Sequence, residues 1–188
     1  MTRRTLIVLA AFIAAGIGAC GGEAPPRAAP PAIEVTADAT GRYCGMLLSA
    51  HEGPKGQVHL GSRKEPIWFT SVRDTLAFMR LPEEPRDIAA VYVNDMGRSA
   101  QWEQPAAGAW VDPREAWFVI ESEMRGGMGA PEAVPFSQES AARAFQAAHK
   151  GRVVRLAEIP DTYVLGPVNL EGAGTPHPAG HAAPGASR

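Results

Sequence analysis

The chain has 188 residues, room for one domain of ordinary size or two small lobes. Its 45% hydrophobic and 20% charged residues fall in the range of soluble globular proteins, which excludes wholesale disorder for the middle of the chain. A formal net charge of −2 leaves no electrostatic footprint for nucleic acid.

The first element is a targeting segment. Arg3 and Arg4 form a basic start, and Thr5 to Ala19 is an apolar run of 15 residues, too short for a spanning helix and suited to a signal peptide over residues 1–19. It ends in Ile17-Gly18-Ala19-Cys20, which resembles a bacterial lipobox. Small residues at 18 and 19 let a signal peptidase close on the bond, and the Cys20 sulfur is the expected lipidation site. An ordinary secreted protein cleaved near Ala19 is the plainer alternative. Cleavage ahead of Cys20 removes two arginines and no acid, which takes the net charge from −2 to −4. Lipid, with two or more acyl chains, then supplies the membrane anchor.

Residues 20–32 carry that cysteine and a tether rich in Gly, Pro and Ala, with no hydrophobic pattern. Just beyond it stands Tyr43-Cys44-Gly45-Met46. If Cys20 is a thioether, Cys44 is the one remaining thiol, in a compartment where thiols tend to pair. An odd cysteine in an exported chain points to a reactive or ligating thiol, against the plainer reading of an inert, buried one. On an extended segment residues 44 and 46 project from one face, so a thiolate and a thioether stand side by side. Both are soft donors and favour Cu(I), which accepts two or three ligands; a closed zinc site needs four strong donors, and one thiol does not supply them.

Cys44–Leu48 and Gln57–Leu60 are read as strands flanking the turn-forming run from His51 to Gly56. His51 and His59 lie within reach of a metal across that hairpin, although a surface histidine is the simpler reading of each. A helix follows Phe69, with Thr70 or Ser71 as its N-cap, Asp74 in its first turn and Pro82 as its stop. Ile88 to Val93 is the next strand, with Met96 at its end; Met79 falls on an apolar helix face and reads as core. Trp117 to Ser122 is a further strand. Met124 and Met128 lie in the glycine-rich stretch Met124-Arg125-Gly126-Gly127-Met128-Gly129, where core methionines are not expected, so both join Met96 as candidate third ligands. A second helix starts near Ser137 and stops at Gly151, His149 complements its dipole, and Val153 to Leu156 is the last strand. The tail over residues 169–188, with His177 and His181, is expected to be disordered.

Phe69-Thr70-Ser71 leading to Phe78 aligns with Phe136-Ser137-Gln138 leading to Phe145. A strand end, a hydroxyl residue and an apolar-spaced helix recur in both. The fold class expected is therefore α+β, two packed ββαβ-like lobes over about 33–100 and 101–168 from an internal duplication. Asp38, Asp95 and Asp161 form no readable acid–base pair. There is no haem-attachment motif, phosphate-binding glycine loop or nucleophile elbow.

Tyr43-Cys44-Gly45-Met46, Pro66-Ile67-Trp68-Phe69, Val91 to Met96, Gly126 to Ala130 and Tyr163-Val164-Leu165-Gly166-Pro167, in that order, resemble the NosL family of nitrous oxide reductase accessory lipoproteins. The resemblance spans about residues 33–168 together with the lipobox. It implies a fold related to part of organomercurial lyase. It implies a periplasmic copper chaperone for the copper–sulfide centre of nitrous oxide reductase, not an enzyme, docking on an ABC-type membrane complex with a periplasmic subunit. It also implies Cu(I) held by Cys44 and Met46 with a further methionine, placed here at Met128; Met96, Met124 and His51 are weaker candidates. The alternatives are an interaction lipoprotein without metal and a thiol-dependent enzyme of the organomercurial-lyase type.

Replacing Cys20 with serine is expected to abolish incorporation of labelled palmitate and release the exported protein in soluble form. Palmitate retained by the variant would place the anchor elsewhere.

Overall fold

The computed structural model describes residues 28–168; the lipobox with Cys20 and the tail with His177 and His181 lie outside them. The first antiparallel sheet contains β1 (Gly56–Leu60), β2 (Ile67–Phe69), β3 (Ile88–Asn94) and β4 (Trp110–Val111), in the order β2-β1-β3-β4. The second contains β5 (Trp117–Ile120), β6 (Val134–Phe136) and β7 (Arg152–Arg155), in the order β6-β5-β7. Helix α1 (Val72–Arg80) lies between β2 and β3 in sequence, and α2 (Glu139–His149) between β6 and β7. Each half thus runs ββαβ with its first strand in the middle, as the repeat around the two Phe-led segments implies.

One strand assignment differs from the sequence reading. Cys44–Leu48 is not a strand; the partner of β1 within the first hairpin is β2, paired Gly56 to Phe69 and Val58 to Ile67. The segment with Cys44 forms instead a closed turn, because Gly45 sits at φ +66° and interrupts any extended run.

Strand alternation and helix periodicity divide the core. Val58, Leu60, Ile67, Phe69 and Val91 on one face of the first sheet meet Phe78 of α1. The opposite stripe of α1, Val72 and Leu76, packs on Phe118, Ile120 and Val154 of the second sheet, joined by Val164 of the short helix α3 (Asp161–Leu165). Helix α1 is therefore shared between the sheets. Each such fully buried aliphatic or aromatic side chain stabilises by about 1.5–3 kcal/mol. The other face of the second sheet, Val119, Val134 and Phe136, carries Met96 and Ala142 of α2. Met79, read as core, packs against both α1-facing clusters.

The outer face of the first sheet is not left to water. The buried Gln57 mimics a strand edge, accepting from Ile33 N at 3.0 Å and donating to Ile33 O at 2.9 Å, and Tyr92 donates to Pro30 O at 2.8 Å. From Pro30 onward the segment read as free tether is thus pinned to the body. His59 is buried there, 2.8 Å from Gln57 Oε1, and desolvation lowers its pKa. That removes it as a metal candidate.

Two acids cross between the halves. Asp95, after β3, accepts from Ser137 N at 3.1 Å and Ser137 Oγ at 2.5 Å. Ser137 is therefore engaged across the interface, and α2 has Gln138 as an N-cap with no side-chain bond. In α1 the expected cap holds, with Ser71 accepting from Asp74 N. Glu132, fully buried ahead of β6, accepts from Arg73 N at 2.9 Å, Val72 N at 3.3 Å and its neighbour Ala133 N at 2.8 Å. Loss of solvent pushes the Glu132 carboxyl from 4.5 up to about 8, against the pull of these backbone donors.

The sign follows from linkage. Between 4.5 and about 8 the folded chain holds a proton that the unfolded chain has released, so stability falls as pH rises through that window. His59, lowered from 6.5, and Lys55, lowered by burial to about 8, pull the other way at the two ends of that window. Around pH 7 the unfolding free energy is therefore expected to drop as pH rises, with a slope below about 1.4 kcal/mol per unit. Glu132→Gln should flatten it, as urea titrations at a series of pH values would show.

Candidate metal centre

Cys44 lies in a turn closed at both ends. Thr40 bridges Leu47, Gly41 N donates to Met46 O at 2.9 Å, and Gly45 N donates to Gly41 O at 2.8 Å. Arg42 N donates to Trp68 O at 2.8 Å, which seats the turn beside the end of β2. The Cys44 sulfur then lies 3.7 Å from Thr70 Oγ1. A Cβ on Gly41 would stand 2.7 Å from that sulfur, so the space beside Gly41 belongs to the thiol. Gly45 faces open space, with nothing within 4 Å of the position its Cβ would occupy. The half-buried free thiol is thus backed by protein at Gly41 and Thr70, and nothing stands over its neighbour Gly45.

Met46 follows on the same turn and is exposed. The sequence expectation of a shared strand face is replaced by a turn, in which the left-handed Gly45 places residues 44 and 46 on consecutive arms. Met128 is also exposed, at the tip of a tight loop held by Gly126 N to Ala130 O, Gly129 N to Gly126 O and a bridge between Arg125 and Pro131. Two contacts bring this loop to the Cys44 region. Gly126 lies against Ser71, next to the threonine that touches the thiol; a Cβ at Gly126 would stand 3.1 Å from Ser71 Cβ. Gly127 O is 2.9 Å from His51 Nδ1. Thr70 and Ser71 are thereby a common floor between the cysteine turn and the methionine loop.

The remaining candidates separate by burial. Met96 is buried among Val119, Val134 and Phe136, and Met124 packs against the same cluster. Met96 is core, which corrects its reading as a strand-end ligand; Met124 is partly buried against that core. His51 acts first as a latch. A carbonyl can only accept, so Nδ1 carries a proton; Nε2 is buried without a hydrogen-bond partner among the described residues. Lys55 closes the following turn by donating to Glu52 O at 3.0 Å and Gly53 O at 2.6 Å, and burial lowers its pKa to about 8.

Among the described residues no three His, Cys, Asp or Glu side chains gather as a metal site. A hard-donor cage is therefore not what surrounds Cys44; thiol and thioether are the donors at hand. Three residues near the site escaped the sequence reading: Thr70 as the partner of the thiol, Glu84 beneath Arg42 and Tyr43, and Glu132 under Gly126. Only Glu132 left a trace, as a lone acid entering the apolar run Ala133 to Phe136.

Comparison with known proteins adds an independent finding. The family model for NosL matches residues 31–164. The chain is 43% identical over 169 residues to the copper-binding lipoprotein NosL of Achromobacter cycloclastes, covering 89% of this chain and 86% of that protein. To the copper-binding lipoprotein NosL of Stutzerimonas stutzeri it is 34% identical over 154 residues, 81% and 78% of the two chains. The fold superposes on the crystal structure of the copper chaperone NosL from Shewanella denitrificans with a TM-score of 0.65 and 32% identity, over 71% of this chain and 99% of that one.

The latch can be tested without metal. A Cβ at Gly127 would fall 2.5 Å from His51 Cβ, so Gly127→Ala is expected to destabilise by about 1–3 kcal/mol. Adding His51→Gly, which removes that Cβ, should recover much of the loss, read as a coupling energy in a double-mutant cycle by chemical denaturation. Additive effects would mean the two residues do not meet.

Proposed function

The chain belongs to the NosL family, and from that premise we propose that it carries one Cu(I) ion on Cys44 and Met46, with Met128 as third ligand, and hands it to a partner protein. What supports this reading is one half-buried free thiol seated against Thr70, with an exposed thioether on its own turn and a second exposed thioether on a loop docked to the same floor. Two sulfurs on one turn and a third on an adjacent loop match the low coordination number that monovalent copper accepts. The copper-binding names of the relatives support the cargo.

Transfer follows from the same arrangement. A two- or three-coordinate ion at an exposed rim is open to an incoming ligand, so it passes by associative exchange and is never free in solution. Tyr43, Met46, Leu47 and Met128 are all exposed, which leaves the rim available to a recipient. The recipient proposed is the maturation machinery of nitrous oxide reductase, an ABC-type membrane complex with a periplasmic subunit, for building the copper–sulfide centre. The protein works at the periplasmic side of a bacterial membrane, held by lipid on Cys20. No helix among the described residues is long and apolar enough to cross a membrane, in keeping with an anchor placed ahead of them.

The decisive measurement is an anaerobic competition titration with a chromogenic Cu(I) chelator. Cys44→Ser is expected to lower the affinity by several orders of magnitude, and Met46→Ala and Met128→Ala by less, since thiolate is the stronger soft donor. X-ray absorption of the copper-loaded protein should lose one sulfur on Met128→Ala. Unchanged affinity in Cys44→Ser would remove the proposal.

A further inference from the structure

We infer that Glu84 is a positioning residue for the Cys44 thiol, clamping from the side the turn that carries the sulfur. Glu84 lies in the loop between α1 and β3, and its carboxylate reaches the cysteine turn with both oxygens. Oε1 accepts from the Tyr43 hydroxyl at 3.0 Å, and Oε2 from the Arg42 guanidinium at 3.3 Å. One buried acid thus grips the two side chains that immediately precede Cys44.

The other tethers act elsewhere. Arg42 N bound to Trp68 O fixes the base of the turn, and the Tyr43 ring meets Phe69 edge-on at 5.6 Å. These hold the backbone of the turn and one ring face. Glu84 holds the polar ends of the two side chains before Cys44, and it is itself held: Pro82 and Pro85 bracket it, and Glu84 N donates to Leu81 O at 3.3 Å. The two grips differ in strength. The Glu84 side chain is 7% exposed and that of Arg42 46%, so solvent screens the ion pair. The Tyr43 hydroxyl bond to a buried charged acceptor is the stronger. Desolvation, with Glu84 adjoining, raises the Tyr43 pKa well above its usual 10, so the phenol stays a donor.

The inference rests on the reading that Cys44 binds the ion, and the test separates the two. Glu84→Ala, Glu84→Gln and Tyr43→Phe are compared by the rate of Cys44 alkylation with iodoacetamide in the metal-free protein, and by Cu(I) affinity in chelator competition. Glu84→Ala should alkylate severalfold faster and bind Cu(I) about tenfold more weakly, both measured at a temperature where the variant is fully folded. Glu84→Gln should regain most of both, because its carbonyl still accepts the Tyr43 hydroxyl. Tyr43→Phe, which deletes one oxygen from a half-exposed ring, should reproduce most of the loss; if Glu84→Ala fails to fold, this variant decides alone. Wild-type alkylation and affinity in Tyr43→Phe and in any folded Glu84→Ala would overturn the clamp, while leaving the metal reading to Cys44→Ser. Faster alkylation in Glu84→Ala, with copper retained by Cys44→Ser, would keep the clamp and remove the metal from Cys44.

Discussion

A carboxyl group shut away from water must find hydrogen-bond partners, and Glu132 finds them chiefly in the first turn of a helix that belongs to the other half of the chain. The free N–H groups of α1 and the buried acid satisfy each other, and the second sheet is thereby fixed to the helix that also floors the first. The arrangement is braced from behind. Arg73, next to the capped groups, donates to Tyr163 O at 2.9 Å and Gly166 O at 2.7 Å, and the Tyr163 hydroxyl donates back to Glu132 O at 2.9 Å. The late Tyr163 to Pro167 segment thus serves the interior of the lobe pair.

The site depends on that bracing. Cys44 is placed by Thr70, immediately before the cap of α1; the Met128 loop is placed by Gly126 against Ser71 and against the Glu132 carboxylate. Both arms therefore refer to one helix start. A shift of α1 relative to the second sheet would part the thiol from the loop thioether, although neither residue touches the sheet interface. Rigid floor and exposed rim are compatible because the floor is made of backbone and short side chains, while the methionines at the rim are flexible and exposed.

Much of the frame was legible in the residues. Ser71 as cap, Pro82 and Gly151 as stops and the two Phe-led segments with apolar spacing announce two helices and a duplication, and the strands around them follow. The error at Cys44 to Leu48 has a local cause. The run Cys-Gly-Met-Leu-Leu is apolar enough for a strand, but Gly45 takes a left-handed backbone and the turn closes on Gly41. Met96 was misjudged for the opposite reason: its local context is loop-like, and only packing against Val119 and Phe136 shows it as core.

By itself the sequence determined the chemistry at hand, one thiol beyond the lipobox with thioethers near it in soft-donor company, because residue type is a local property. It determined the repeat as well, since capping and periodicity act within a turn or two of the chain. Tertiary structure alone decided which sulfurs face outward, which histidine latches the loop and which acids hold the turn and the helix. Those choices depend on contacts such as Glu132 with Arg73, Glu84 with Tyr43 and His51 with Gly127, between residues 59, 41 and 76 positions apart. No short-range preference of the backbone encodes a contact at that separation.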